Sequence, residues 1–214
     1  GCLLSSSKII NDYTPVISLD PCTNKLTVED GTKYNAGDTV VIMQMKGAVI
    51  DSSNTASFGT VTNYRNAGNY EFNYVKSKTG NVIELANLVT RQYDLPDGKV
   101  QLIRVPWFQD LVVSDTITCL PWDGKKGGVL VLNVKNTLSL NNSIDVSGKG
   151  FRKGIMHNSL INSFTCGLVD YFYPINTIDA AGKGESITDL DSTKNAGWGA
   201  KASGGGGGMN PNTG

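Results

Sequence analysis

The strongest constraint on the fold lies between residues 130 and 146, where apolar and polar side chains alternate from Leu132 onward. The even positions are apolar, except where asparagine stands at Asn136 and Asn142. A period of two is typical of β-strands that bury one face. Because asparagine tolerates turn and left-handed conformations, we expect three short strands with corners at Asn136 and Asn142. A strand that bends twice without changing its inward face predicts one coil of a β-solenoid.

The end of this stretch recurs further along the chain. The motif Ile-Asp-x-x-Gly-Lys-Gly occupies residues 144–150 and again residues 178–184. The repeat predicts successive coils, with residues 151–177 looping out between them. We expect Trp122, just before the first coil, to cap the open end of the stack, because an exposed apolar cross-section needs a cover.

The first half of the chain has the pattern of a compact β-domain. Short apolar runs bounded by glycine or asparagine recur roughly every ten residues, as in sandwiches and small barrels. We expect strands at residues 15–19, 26–29, 39–45, 58–64, 70–75, 82–85, 99–105 and 111–118, the fourth and fifth forming a hairpin. The predicted fold is therefore all-β. A small β-barrel or sandwich over residues 1–118 precedes the start of a Gly-rich β-solenoid over residues 119–214.

Composition excludes some classes of partner. The 19 basic residues balance 19 acidic ones, and 18% of the chain is charged. A neutral chain lacks the basic surface that nucleic acid or an anionic membrane requires, so we expect neither partner. No window approaches the roughly 18 apolar residues of a membrane-spanning helix. The start is too short for a signal peptide, so we take the chain as already processed, with lipidation of Cys2 as an alternative.

Cysteine usage points to an extracellular location. Four cysteines allow three pairings, of which we favour Cys2–Cys22 with Cys119–Cys166, because the first two lie in the N-terminal arm and the others flank the alternating stretch. Disulfides would place the protein outside the cytoplasm. With no Cys-x-x-Cys spacing and a single histidine, we expect no zinc site. We also expect no cofactor.

Two kinds of chemistry are open for the polar and aromatic residues. Stacked coils would bring Asp145 and Asp179 together, as a carbohydrate-active lyase or hydrolase requires, or each aspartate would bond its own corner. Exposed aromatic rings would stack on glycans or pack in the core and cap it. The candidate contact residues are Trp107, Trp122, Tyr171 and Tyr173.

Glycine is concentrated in the last part of the chain. Of 25 glycines, 17 follow residue 123, and five of them form the run 204–208. Such a run is either a flexible linker or a place where backbones pack closely, and Trp198 beside it favours packing. We expect the chain to be the beginning of a longer polypeptide.

Six separated motifs carry a resemblance to a known family. They occupy residues 37–48, 66–72, 99–106, 121–124, 145–151 and 181–185. Together they resemble the N-terminal region of large gliding-motility adhesins exported by the bacterial type IX secretion system. The resemblance implies contact with the type IX machinery during export, an outer-membrane-associated cell-surface location, and a C-terminal sorting domain beyond these residues. It also implies O-glycosylation at Asp-Thr or Asp-Ser triplets, with Thr39, Thr116 and Ser192 as acceptors.

These observations lead to one main hypothesis. The chain is a non-enzymatic N-terminal module of a large secreted adhesin, involved in surface attachment or gliding motility, with surface glycans as the expected ligands. The alternative is a carbohydrate-active solenoid enzyme that uses Asp145 and Asp179. A third hypothesis is a fibre subunit that assembles through its poly-glycine end.

Overall fold

The computed structural model describes residues 7–156, 169–177 and 180–208, and that part of the chain is all-β. It contains no helix, and therefore none long and apolar enough to cross a membrane. The predicted all-β class is confirmed. The strands in these residues are β1 (Lys8–Ile9), β2 (Asp12–Asp20), β3 (Lys25–Val28), β4 (Thr39–Lys46), β5 (Val49–Ile50), β6 (Val61–Asn63), β7 (Tyr70–Thr79), β8 (Val82–Leu85), β9 (Lys99–Val105), β10 (Trp107–Phe108), β11 (Leu111–Val113), β12 (Ile117–Thr118), β13 (Asn133–Val134) and β14 (Leu138–Leu140).

The chain divides into two compact units. The first comprises Gly1–Met45 with Gly68–Gly150, and the second comprises Lys46–Ala67 with Phe151–Gly214. The boundary predicted after residue 118 falls inside the first unit. Strand β11 pairs with β14 across that boundary, and this pairing joins the segments on either side of it.

Six strands of the first unit form a closed barrel in the order β2-β3-β8-β7-β4-β9. The pairs with a defined register are antiparallel, as short turns between strands allow. The tight turn before β3 ends at Asn24, whose φ of 53° is a conformation that asparagine tolerates. The bend between the predicted strands 15–19 and 26–29 therefore lies at Asn24.

The barrel interior is filled by branched aliphatic side chains and one tyrosine. Tyr34 is fully buried, and its hydroxyl donates a hydrogen bond of 2.7 Å to the carbonyl oxygen of Leu102. This bond satisfies the polar end of the ring inside an apolar core. The other buried members of the cluster are Val16, Leu26, Val28, Val40, Ile42, Val75, Ile83, Leu85, Val100 and Leu102.

A segment after the barrel covers part of its outer face. Val129 and Val131 pack on Val41 and Ile103. The amide of buried Gln101 fixes the start of this segment, because it donates to the carbonyl of Gly127 (3.0 Å) and accepts from its N–H (2.8 Å). A side-chain amide that satisfies both backbone groups of one residue holds the segment in a single position.

The alternating stretch pairs in parallel with the chain that precedes it. Strand β13 pairs with β10, β14 pairs with β11, and Ile144 bridges to Ile117, so each residue meets one 26 or 27 positions earlier. Strand β12 also pairs in parallel with β1. Two of the three predicted strands therefore exist as β13 and β14, and the third is reduced to the single bridge at Ile144. Both predicted corners are present, as bends at residues 135–136 and 141–142.

Three details of the sequence prediction differ from the structure. The predicted hairpin of 58–64 with 70–75 is wrong: β6 pairs with β5, whereas β7 pairs with β4, the long apolar strand. The corner asparagines do not adopt left-handed conformations. The apolar residues of the coil after 137 are not buried: Leu138, Leu140, Ile144 and Val146 are exposed, because the pairing with 111–117 covers only one edge of this rung.

The second unit is built around closely packed glycine backbones. The amide of Gly184 donates to the carbonyl of Gly205 (2.9 Å), and that of Gly207 donates to Gly197 (2.8 Å). A Cβ placed on Gly207 would lie 1.9 Å from the carbonyl oxygen of Ala181, so this approach requires glycine. Of the two interpretations of the poly-glycine run, the structure therefore has the packed one.

Candidate surface-contact site

Strand β7 presents a row of three exposed aromatic rings, which we call the β7 aromatic row. Tyr70, Phe72 and Tyr74 are 55%, 58% and 52% exposed. Alternate residues of a strand point to the same face, so the three rings share one side of the barrel wall. Large exposed apolar groups in a contiguous set mark interaction surfaces more often than isolated ones do.

The residues between the rings hold β7 in place from its other face. Asn73 is buried; its side chain donates to the carbonyl of Asn87 (3.0 Å) and accepts from the N–H of the same residue (3.0 Å). Glu71 accepts hydrogen bonds from the N–H and hydroxyl of Thr90, both at 3.0 Å. These bonds fix the strand to the segment that follows β8, which leaves the aromatic face turned outward.

The row has the chemistry of a platform for a flat, partly apolar ligand. Neighbouring rings are spaced about 7 Å apart along the strand, and the outer two about 13 Å apart. Each tyrosine combines an apolar ring with a hydroxyl that donates and accepts hydrogen bonds, so Phe72 lies between two such groups. Sugar rings offer the matching combination of C–H faces and hydroxyl edges.

Two predicted contact residues lie in the same unit as the row, in different environments. Trp107, on β10, is 54% exposed, so its ring is available to a ligand. Trp122 is 2% exposed, and its backbone N–H donates to the carbonyl of Lys149 (2.8 Å). Burial prevents stacking of a glycan on Trp122, because the ring already packs inside the protein. Of the two alternatives for Trp122, the structure favours packing.

Tyr171 and Tyr173 lie in the second unit and are half-buried. The ring of Tyr171 packs on Trp198 with centroids 4.1 Å apart and also contacts Phe58. The hydroxyl of Tyr173 accepts a hydrogen bond from the N–H of Asp170 (2.8 Å). Both side chains are therefore committed to internal packing, and the sequence pattern alone did not separate them from an exposed pair.

A buried lysine organises this aromatic cluster. The ammonium of Lys183 donates to the carbonyl oxygens of Tyr171, Gly197 and Gly199, and lies 4.7 Å from the centroid of Phe58. Burial, with the nearby charge of Lys201, lowers the pKa of Lys183 to about 8. Lys183 is the lysine of the second Gly-Lys-Gly, and it serves as a cross-link between backbone carbonyls.

The enzyme alternative rested on Asp145 and Asp179. The carboxylate of Asp145 accepts a hydrogen bond from the N–H of Ser147 (2.8 Å), and bonding to Ser147 lowers its pKa. It therefore bonds its own corner and is a poor proton donor. Asp179 lies outside the described residues. Within the described part of the chain, no group of three or more His, Cys, Asp or Glu side chains is placed to hold a metal ion.

The remaining predicted sites are placed as follows. Among the described residues, Cys22 is an exposed free thiol and Cys119 a buried one; Cys2 and Cys166 lie outside those residues, so the pairings stay predictions. Ser192 is exposed in a turn, whereas Thr39 and Thr116 are half-buried. The hydroxyl of Thr116 also bonds to Asn142 (3.1 Å). Of the three predicted glycosylation acceptors, Ser192 is therefore the most accessible.

Sequence reasoning placed residues 70–75 on a strand but assigned no role to its aromatic residues. The available signal was the composition of the two faces, which are Tyr-Phe-Tyr and Glu-Asn-Val. Aromatic side chains on a strand usually indicate the buried face, and Asn73 reverses that expectation by bonding inside the structure.

Comparisons with known proteins add little. No protein-family model matches the chain, and no curated protein does. A solved structure with some similarity is the Gp54 tailspike of the Acinetobacter baumannii bacteriophage AP22, determined in complex with A. baumannii capsular saccharide. The sequences are 17% identical over 63% of this chain and 22% of the tailspike chain, with a TM-score of 0.32. At that TM-score the likeness carries no argument about fold or function.

Proposed function

We propose that this chain is a non-enzymatic attachment module of a large secreted surface protein of the adhesin type. The observation that carries the proposal is the β7 aromatic row, in which Tyr70, Phe72 and Tyr74 are all more than half exposed on one face of a strand. Ligands of neutral charge fit the balanced composition of the chain better than nucleic acid does. We assign surface glycans as the ligand class and the row as the contact, with Trp107 as a second exposed ring.

The rest of the proposal concerns architecture and location. The parallel ladders of residues 107–118 with 133–146 support the start of a β-solenoid, in which each new coil would stack on the last. The exposed rung formed by Leu138, Leu140 and Ile144 is the surface on which a further coil would lie. Export by the type IX system, a cell-surface location and a longer parent polypeptide follow from the family resemblance and are part of the same proposal.

The experiment is a binding assay of the purified full chain against a panel of immobilised neutral polysaccharides. A variant with alanine at Tyr70, Phe72 and Tyr74 should lose retention on every polysaccharide that retains the parent chain. Ile17→Ala is the matched control, since Ile17 is an exposed apolar residue of the same barrel, 53% exposed. Retention of the parent chain no greater than that of an unrelated β-protein would overturn the proposal.

A further inference from the structure

Three buried lysines of the second unit differ in what they contact. Lys46 pairs with the carboxylates of Glu185 and Asp189, and Lys183 is held by three carbonyl oxygens. Lys201 is 2% exposed, and among the described residues its ammonium has one hydrogen-bond partner, the side-chain Oδ1 of Asn195 at 2.7 Å. A buried ammonium whose hydrogen-bond partner is neutral is costly, because it has lost its solvent and no carboxylate of the described residues is hydrogen-bonded to it.

The surroundings of Lys201 favour its neutral amine. Burial lowers its pKa, and the positive charge of Lys46 lowers it further, against the opposing effect of Asp189 and Glu185. A desolvated lysine that loses its proton becomes a nucleophile. The group that Lys201 contacts is the side-chain carboxamide of Asn195, whose carbonyl carbon, Cγ, is the atom that a nucleophile attacks.

We propose that Lys201 and Asn195 are joined by an intramolecular isopeptide bond. The contact already made puts the amine against the amide: Nζ lies 2.7 Å from Oδ1, and Oδ1 is bonded to Cγ, so Nζ lies about 3–4 Å from that carbon, a range that includes the near-attack separation of about 3–3.5 Å. Both residues belong to one short segment. The backbone N–H of Lys183 donates a hydrogen bond to the backbone carbonyl of Asn195 (2.9 Å), which holds Asn195 in position.

The reaction is a transfer of the Asn195 acyl group from ammonia to lysine. The ammonium of Lys201 gives up one proton, Nζ attacks Cγ and then gives up a second proton, the bond from Cγ to Nδ2 breaks, and Nδ2 takes up both protons and leaves as ammonium. No electrons are exchanged and no co-reactant is consumed. We assign Asp189 as the base that carries these protons, because its carboxylate is close enough to Lys201 to raise the pKa of that lysine, whereas both oxygens of Glu185 already accept hydrogen bonds from Arg152.

The new bond would make residues 195–201 a closed ring, and Trp198 is a member of that ring. The linked segment runs from Asn195 to Lys201, and Trp198 within it packs on Tyr171. A covalent closure of this segment restrains the strand-like contacts that Ala196 makes with Tyr173 and Gly182. The bond would thus stabilise the closely packed glycine backbones around which the second unit is built.

The test is the intact mass of the purified, denatured full chain. The proposal predicts a mass about 17 Da below that of the sequence, from loss of ammonia. Lys201→Arg and Asn195→Ala should each abolish the deficit. Lys194→Arg should keep it, because Lys194 binds Ser52 and takes no part in the reaction.

A succinimide at Asn195 would give the same mass loss, so a second readout is needed. An isopeptide bond blocks trypsin after Lys201 and resists hydroxylamine, whereas a succinimide leaves Lys201 cleavable and is opened by hydroxylamine. A full-length mass with no deficit, or efficient cleavage after Lys201, would overturn the proposal. The mass and the tryptic map of the parent chain decide between these outcomes whether or not a variant folds.

Discussion

Lys46 and Glu185 lie 139 positions apart in the sequence and form a buried ion pair, with Nζ 3.0 Å from Oε1. The same carboxylate accepts two hydrogen bonds from the side chain of Arg152: Nε donates to Oε2 at 2.9 Å and Nη2 donates to Oε1 at 2.8 Å. Asp189 accepts a second hydrogen bond from Lys46 at 2.9 Å. Two cations and two carboxylates therefore tie together the two sequence segments of the second unit.

The first prediction concerns acid stability. Burial alone would raise the pKa of Glu185, but hydrogen bonds from Arg152 and Lys46 outweigh it and lower the pKa to about 2. The folded value lies below the ordinary 4.5, so the stabilisation is complete above pH 4.5 and is lost as the pH falls toward 2. Its size is about 3 kcal/mol. Urea unfolding measured across this range should show the decline.

Glu185→Gln should remove that decline. At neutral pH it should also destabilise the second unit by about 3 kcal/mol, because Lys46 and Arg152 lose a charged partner. Glu29→Gln is the control: Glu29 forms an exposed ion pair with Lys125, and its replacement should change stability by less than about 1 kcal/mol. An unchanged pH profile in Glu185→Gln would contradict the assignment.

The second prediction compares two glycines of the same run. Gly207→Ala should destabilise the second unit by about 2 kcal/mol or more, because its Cβ would lie 1.9 Å from the carbonyl oxygen of Ala181. Gly205→Ala should be close to neutral, since nothing lies within 4 Å of the added carbon. Thermal unfolding and limited proteolysis would measure both. Equal tolerance of the two substitutions would show that the run is not packed.

The third prediction tests the attachment of residues 127–132 to the barrel. Gln101→Leu should cost about 2–3 kcal/mol, because it leaves the N–H and carbonyl of Gly127 without partners in a buried place. Gln109→Leu, at an exposed position, should have little effect. Chemical unfolding of the two variants makes the comparison. Similar unfolding midpoints would argue against a stabilising role for the two hydrogen bonds between Gln101 and Gly127.

The fourth prediction separates the two corner asparagines. The side chain of Asn142 donates to the carbonyl of Ser114 (3.2 Å) and accepts from the N–H of Ser143 (2.8 Å), whereas the Asn136 side chain is exposed. Asn142→Ala should therefore cost about 1 kcal/mol, and Asn136→Ala should be nearly neutral. The difference in unfolding temperature is the measurement. A larger effect at Asn136 would mean that the corners are fixed by backbone conformation instead.

Local pattern was sufficient for most of the first unit. Turn residues and apolar runs located β2, β3, β4, β8 and β9. The period-two stretch located its strands and corners because each depends on side chains a few residues apart. The pairing partners of the strands were harder to predict. Strand β7 pairs with the long apolar strand β4 and not with the strand that precedes it in the sequence, so proximity in the sequence was a poor guide.

The candidate site was not predictable in the same way. Tyr70, Phe72 and Tyr74 have the hydrophobicity of core residues, and only the hydrogen bonds of Asn73 to Asn87 establish which face is buried. The same difficulty explains Trp122, Tyr171 and Tyr173, since composition does not distinguish an aromatic ring that packs from one that contacts a ligand. The buried lysines were equally hidden, because their carbonyl and carboxylate partners are distant in sequence or provided by backbone.

The central claim is that the β7 aromatic row binds carbohydrate. The most direct measurement is a calorimetric titration of the parent chain and of Phe72→Ala with an oligosaccharide from a polysaccharide that retains the parent chain. Phe72 is the middle ring, and the account predicts a Kd at least about tenfold weaker for the variant, corresponding to about 1.4 kcal/mol. An unchanged Kd, in a variant that unfolds at the same temperature as the parent chain, would contradict the claim.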